Sequence, residues 1–345
     1  MGGDRLTIVP NYFVPKFCSR ERFKFIPCHS GLDHMPSYHV AREVEILASP
    51  HRVYEVLADY RTWRTWSPWL ISEPEALVTV SDDPSSVGSQ YAWKGNVTGE
   101  GELQHQKLVP AKRIEDELRF LKPFKSTCSI AFELQPKGDG TLLTWTMDGK
   151  LPWFLFWMVP MMRTFLGMDF QRGLNMLKEW IETGSIQSKI KVHGVENCGP
   201  LRMAGISGTC DIYEIGSALD KAISEAKAEF QRLHLATDGK MISVYTDFRF
   251  KKQEFDFIGG FLIPEDAQVP GSSKLQVWKT PACKSFRVEH IGSYRHLGNG
   301  WSVANQLVRF KKLKQPRTGT FEIYQTTPPE TPEAELSTDI ILPLK

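Results

Sequence analysis

Two periodicities share the chain. Up to about residue 185, one short helical stripe precedes a series of runs in which apolar and polar positions alternate. Val44 and Ile46 end a strand pattern. Ser49-Pro50 then marks a helix start, with Val53, Val56 and Leu57 as the apolar stripe. Strand-like runs follow over residues 90–94, 99–107, 113–120, 128–135 and 141–150, and Gly138-Asp139-Gly140 signals a hairpin between the last two. Phe170, Leu174, Leu177 and Ile181 then recur at helical spacing up to Gly184, a natural C-cap. This order predicts a sheet wrapped around a helix. Between the last strand and that helix, the run from Leu151 to Met162 is strongly apolar but too short to span a bilayer, and Pro152 and Pro160 interrupt it. It reads as a buried segment leading into the helix, with an interfacial helix or a pocket lid as the alternatives.

A polar stretch over residues 182–191 reads as a linker, after which the pattern changes and repeats itself. A strand over 201–207 leads to a helix over 212–235, striped by Ile215, Leu219, Ile223, Ala226 and Phe230, and to paired strands over 241–248 and 254–263. A strand over 283–291, a helix over 294–313 and paired strands over 321–324 and 338–342 follow the same scheme. Two β-α-β-β units predict a pseudo-twofold domain with helices on one face of a joined sheet and a ligand cleft at the axis. The expected class is α+β: a domain over 38–185, a second over 191–345, and a poorly ordered leader over 1–37 that carries Pro10, Pro15, Pro27 and Pro36.

Composition changes this picture little. Over 345 residues, 41% are apolar and 24% charged, which are ordinary globular values, and a formal charge of +2 gives no overall field that implies nucleic acid or an anionic membrane. Six cysteines are scattered with no C-x-x-C pair, which suits neither a disulfide framework nor a zinc site. With no signal peptide visible, a cytoplasmic location is expected. No metal or cofactor is expected, and the oligomeric state is left open.

The candidate chemistry centres on Thr320-Phe321-Glu322-Ile323-Tyr324. Alternation puts Phe321 and Ile323 on one sheet face and Glu322 with Tyr324 on the other. A solvated glutamate on an edge strand fits this spacing, and so does a pocket carboxylate with aromatic company. In the first domain, Leu143, Trp145 and Met147 share one strand face, and Tyr91 and Trp93 share another. They are candidate pocket walls or closed core. His105 stands alone there, with no nucleophile or carboxylate pair in view.

Trp63-Arg64-Thr65-Trp66-Ser67-Pro68-Trp69, then Tyr91-Ala92-Trp93-Lys94-Gly95-Asn96, then Met168-Asp169-Phe170-Gln171-Arg172-Gly173 give the first domain a known outline. It resembles the START-like, or SRPBCC, helix-grip superfamily, especially its polyketide cyclase/dehydrase-like branch. The resemblance implies a cavity between the curved sheet and the last helix; it implies little about activity.

The second domain carries Val244-Tyr245-Thr246-Asp247-Phe248, Phe255-Asp256-Phe257, His290-Ile291-Gly292-Ser293-Tyr294, Trp301 and Phe321-Glu322-Ile323-Tyr324. It resembles the GyrI-like small-molecule-binding family, which includes effector domains of multidrug-responsive regulators. That resemblance implies a buried glutamate at Glu322, followed by Tyr324, in an aromatic pocket for lipophilic cations, with Tyr245, Tyr294 and Trp301 around it. A resembling branch hydrolyses cyclopropane-bearing alkylators with a glutamate in the same cleft. No helix-turn-helix pattern precedes this domain, so nucleic acid is not an expected partner. The expected function is binding of a hydrophobic, aromatic or cationic small molecule for sensing or sequestration. The alternatives are a hydrolase or cyclase with Glu322 as acid/base, and a protein-interaction module.

Overall fold

The computed structural model describes residues 36–235, 239–249 and 252–345. The leader expected over 1–37 lies outside them except for its last two residues, of which Ser37 already opens a strand. The described residues fall into two compact units that divide between Ile186 and Gln187.

The first unit runs β1 (Ser37–Ile46), α1 (Pro50–Ala58), α2 (Trp63–Trp66), β2 (Leu77–Val80), β3 (Gln90–Lys94), β4 (Glu100–Val109), β5 (Arg113–Lys122), β6 (Ser126–Lys137), β7 (Gly140–Lys150) and α3 (Val159–Thr183). All seven strands join one antiparallel sheet in the order β1-β7-β6-β5-β4-β3-β2. Ser49 caps α1 by accepting from the Arg52 N–H, as its Ser-Pro start predicts. Gly184 ends α3 with φ +80° and donates its N–H to the Trp180 carbonyl. The apolar stripe of α3 lies on the sheet, where Phe170 stacks on Trp145 at 4.0 Å. Burying side chains of this size stabilises the unit by about 2 kcal/mol each.

Leu151–Met162 departs from its expected burial. Trp153 is 72% exposed and Phe156 65%, and Phe154 and Trp157 are also exposed. Residues 153–158 form a 3-10 segment between the two prolines. The segment is two short turns that meet at a kink, Leu155 having φ −103° and ψ 15°. Met158 is buried and Leu155 half-buried, while the four aromatic side chains face out.

The second unit continues with β8 (Ser188–Cys198), β9 (Leu201–Asp211), α4 (Ile215–Leu233), β10 (Met241–Arg249), β11 (Glu254–Leu262), β12 (Gln276–Thr280), β13 (Cys283–Gly292), α5 (Leu297–Phe310), β14 (Thr320–Tyr324) and β15 (Ser337–Pro343). Its eight strands are antiparallel in the order β12-β9-β11-β10-β14-β15-β13-β8. The two predicted β-α-β-β units are β9-α4-β10-β11 and β13-α5-β14-β15, joined where β10 pairs with β14. Helix α4 packs on β9 and β11, and α5 on β13 and β15.

Within the stretch expected as a linker over 182–191, residues 184–187 connect the two units, and the remainder is the end of α3 and the start of β8. Strand β8 is polar because it forms a sheet edge, which leaves part of its surface to solvent. Strand β12 forms the opposite edge and carries no apolar alternation, whereas the alternation of β8 is confined to Ile190 and Val192.

Candidate functional site

Glu322 sits at the junction of the two repeats. Strand β14 is interior, flanked by β10 and β15, so Glu322 lies opposite Ser243 on one side and Ile340 on the other. The solvated edge-strand reading is therefore wrong: both faces of β14 are covered, and Glu322 is 1% exposed. Phe321 and Ile323 turn to the face where Trp278 closes over Phe321, with ring centroids 5.4 Å apart. Glu322 and Tyr324 turn to the face that carries α5.

Helix α5 brings Trp301 to the carboxylate. Gly300 lets the helix approach closely, since a Cβ there would fall 2.4 Å from Ile340 Cδ1. The Trp301 indole Nε1 donates to Glu322 Oε1. The Tyr324 hydroxyl donates to Oε2 at 2.8 Å and is itself 3.1 Å from Ser243 Oγ, which must then be the donor to it. Tyr245 also lies close enough to lower the carboxyl's pKa. Trp301, Tyr324 and Tyr245 are all neutral.

The electrostatics follow from that arrangement. Burial raises the Glu322 carboxyl above its ordinary range, and the bonds from Trp301, Tyr324 and Tyr245 only partly offset this. Burial, then the nearby Glu322 charge, pushes the Tyr245 and Tyr324 hydroxyls well above their ordinary value. Tyr294 is pushed up to about 12 by burial, then by Glu322 and by Asp220 on α4. Sequence patterns gave no hint of Asp220 or Ser243; both come into play only when the two repeats meet.

The aromatic residues grade from floor to rim. Tyr324 is buried beside the carboxylate, whereas Tyr245, Tyr294 and Trp301 are partly exposed. Tyr245 meets Trp301 edge to face at 5.2 Å, and Tyr294 meets Tyr324 at 5.5 Å. The five residues singled out in this half thus form one cluster, with a desolvated carboxylate at its floor and ring edges and faces at its rim. A separate depression of about 310 Å³, lined by residues including Thr209, Thr246 and Asp256, involves none of them.

In the first unit, Tyr91 and Trp93 lie together at 6.4 Å, Tyr91 buried and Trp93 half-buried. Trp145 is apart from them. Phe170 and Phe132 stack on its ring, Trp66 and Trp69 meet it edge to face, and no part of it is exposed. The structure therefore packs Trp145 as closed core.

The three sequence blocks of this unit meet as clasps. Trp69 Nε1 donates to Asp169 Oδ2 at 3.1 Å, and Arg172 bonds both Asp169 and the Pro68 carbonyl. Glu73 accepts the backbone N–H groups of Asn96, Val97 and Thr98. Burial alone would raise its pKa, but these bonds hold the carboxyl below its usual range.

His105 is not alone. Its Nδ1 is 2.6 Å from Asp116 Oδ1, and both side chains are fully buried. Its Nε2 is 2.9 Å from the Ala58 carbonyl, so Nε2 carries a proton. Tyr60 stacks on the ring at 3.9 Å. The missing signal was the register between β4 and β5, which sets His105 directly opposite Asp116.

Comparison with known proteins gives two family matches. Residues 37–182 match the family described as polyketide cyclase / dehydrase and lipid transport, and residues 195–345 match the GyrI-like small molecule binding domain. No curated protein matches the chain. Similar solved structures include protein CV1439 from Chromobacterium violaceum, with 21% identity over 42% of this chain and 96% of that one and a TM-score of 0.32. Another is the Aha1 dimer from Colwellia psychrerythraea, with 19% identity, 42% and 97% coverage and a TM-score of 0.32. A third is CalU16 from Micromonospora echinospora, with 16% identity, 43% and 83% coverage and a TM-score of 0.31. Among the described residues, no helix is long and apolar enough to cross a membrane. The chain joins a domain of the polyketide cyclase / dehydrase and lipid transport family to a GyrI-like small molecule binding domain.

Proposed function

We propose that the second unit binds a lipophilic, aromatic cation over Glu322, for sensing or sequestration. The observation that carries this reading is a carboxylate that is desolvated yet surrounded only by neutral donors. Burying a charge is unfavourable unless an opposite charge compensates it. A cationic ligand supplies that charge, and its apolar body suits the rings of Tyr245, Tyr294 and Trp301. Each cation–ring contact contributes about 0.5–2 kcal/mol.

A second reading rests on the same burial: a glutamate whose carboxyl is raised above its ordinary range in an aromatic cluster is suited to general acid/base chemistry on an electrophilic natural product. The two differ in what Glu322→Gln does. Mass spectrometry of small molecules retained by the purified chain tests the binding reading. A lipophilic cation held by the wild type and lost from Glu322→Gln supports it. A retained molecule that is anionic, or that survives the substitution, contradicts it.

A further inference from the structure

The exposed aromatic side chains of residues 153–158 do not stand by themselves. Strand register places a second segment beside them. Phe120 pairs with Ser126 across β5 and β6, Cys128 with Gly149 across β6 and β7, and Ser37 with Lys150 across β1 and β7. The β5–β6 turn and the chain leaving β7 therefore emerge at the same end of the sheet. On that turn Leu121 and Phe124 are also exposed. Two tryptophans, three phenylalanines and a leucine thus crowd one end of one unit, a larger set than scattered surface apolars explain.

The charge around them is one-sided. Residues 121–131 and 149–168 contain no aspartate or glutamate. Lys122, Lys125, Lys150 and Arg163 are all exposed there. Glu100 pairs with Lys94 and Lys122, whereas Lys125, Lys150 and Arg163 have no ion pair among the described residues. The formal charge of the whole chain, only +2, conceals this local concentration.

We propose that this end of the first unit docks on an anionic lipid bilayer. Trp153, Phe154, Phe156 and Trp157 enter the boundary between headgroups and acyl chains, where amphipathic rings are favoured. Lys125, Lys150 and Arg163 face the lipid phosphates, each such contact adding to the attraction. A second copy of the chain is a poorer occupant, because a twofold contact would set the same cations against each other. The proposal is independent of the Glu322 reading.

The test is co-sedimentation of the full chain with vesicles of phosphatidylcholine alone and of an equal mixture with phosphatidylglycerol. The expected result is binding to the mixed vesicles, with a blue shift of tryptophan emission. The Trp153→Ser/Trp157→Ser double variant should bind more weakly by on the order of tenfold or more. Lys125→Glu/Lys150→Glu should remove the preference for the anionic vesicles. These side chains are exposed, so circular dichroism should show the fold intact. Absence of binding to either vesicle, or undiminished binding by the tryptophan variant, overturns the proposal. So does a dimer that the tryptophan variant splits without any vesicle binding, which assigns the surface to a second copy.

Discussion

The Trp301 indole donates its N–H to the Glu322 carboxylate, so a helix of the second repeat caps the acid held on the strand that joins that repeat to the first. This bond opposes the effect of burial, which raises the carboxyl's pKa. Trp301→Phe keeps a ring at the rim but removes the donor. The loss of one hydrogen bond to the buried carboxyl should destabilise the second unit by about 1–3 kcal/mol. Urea denaturation measures this. An unchanged midpoint contradicts the bond.

Glu322 also dictates a pH dependence. Its folded pKa lies above the unfolded value, so the native state holds the proton more tightly. The contribution to stability is then fullest below the unfolded pKa and declines as pH rises towards the folded one. Glu322→Gln lacks that decline, so its stability relative to wild type should increase as pH rises above about 4, the ordinary glutamate value. His290 acts in the opposite sense: burial, then His296, lowers it to about 4, so its contribution is lost as pH falls below 6.5. Both proteins carry His290, and it cancels in the difference. Parallel stability curves for the two proteins contradict a buried ionisable Glu322.

In the first unit, Asp116→Ala should leave His105 Nδ1 without a partner inside the core. The expected loss is about 3 kcal/mol, and Asp116→Asn, which retains an acceptor, should recover part of it. Thermal unfolding reads both. A neutral Asp116→Ala substitution contradicts the buried pair.

Trp145 distinguishes closed core from pocket wall. Enclosed by Phe132, Phe170, Trp66 and Trp69, it should cost about 3–5 kcal/mol when replaced by alanine. A loss below about 1 kcal/mol would instead mean that open space already borders the ring.

Most of the fold was legible because its interior strands and helices bury one face and so carry a period. The edge strands β2, β8 and β12 were not: β2 has only four residues, and solvent along the edges at β8 and β12 permits polar residues that interrupt the period. At the site, Glu322 and its four aromatic neighbours could be named from the alternation of β14 and from the family outline. Ser243 and Asp220 could not, because each reaches the cluster through long-range register or helix placement. The burial expected for Leu151–Met162 failed for a different reason. Hydrophobicity alone does not reveal two short 3-10 turns kinked at Leu155, too short to bury more than one side of the chain.

Calorimetric titration of tetraphenylphosphonium, with neutral triphenylphosphine oxide as the comparison, tests the role of Glu322 most directly. The wild type should bind the cation in preference to the neutral compound. Glu322→Gln should weaken the cation by about tenfold or more, which is about 1.4 kcal/mol, and leave the neutral compound unaffected. Equal affinity of the two proteins for the cation would contradict a binding site built on the buried carboxylate.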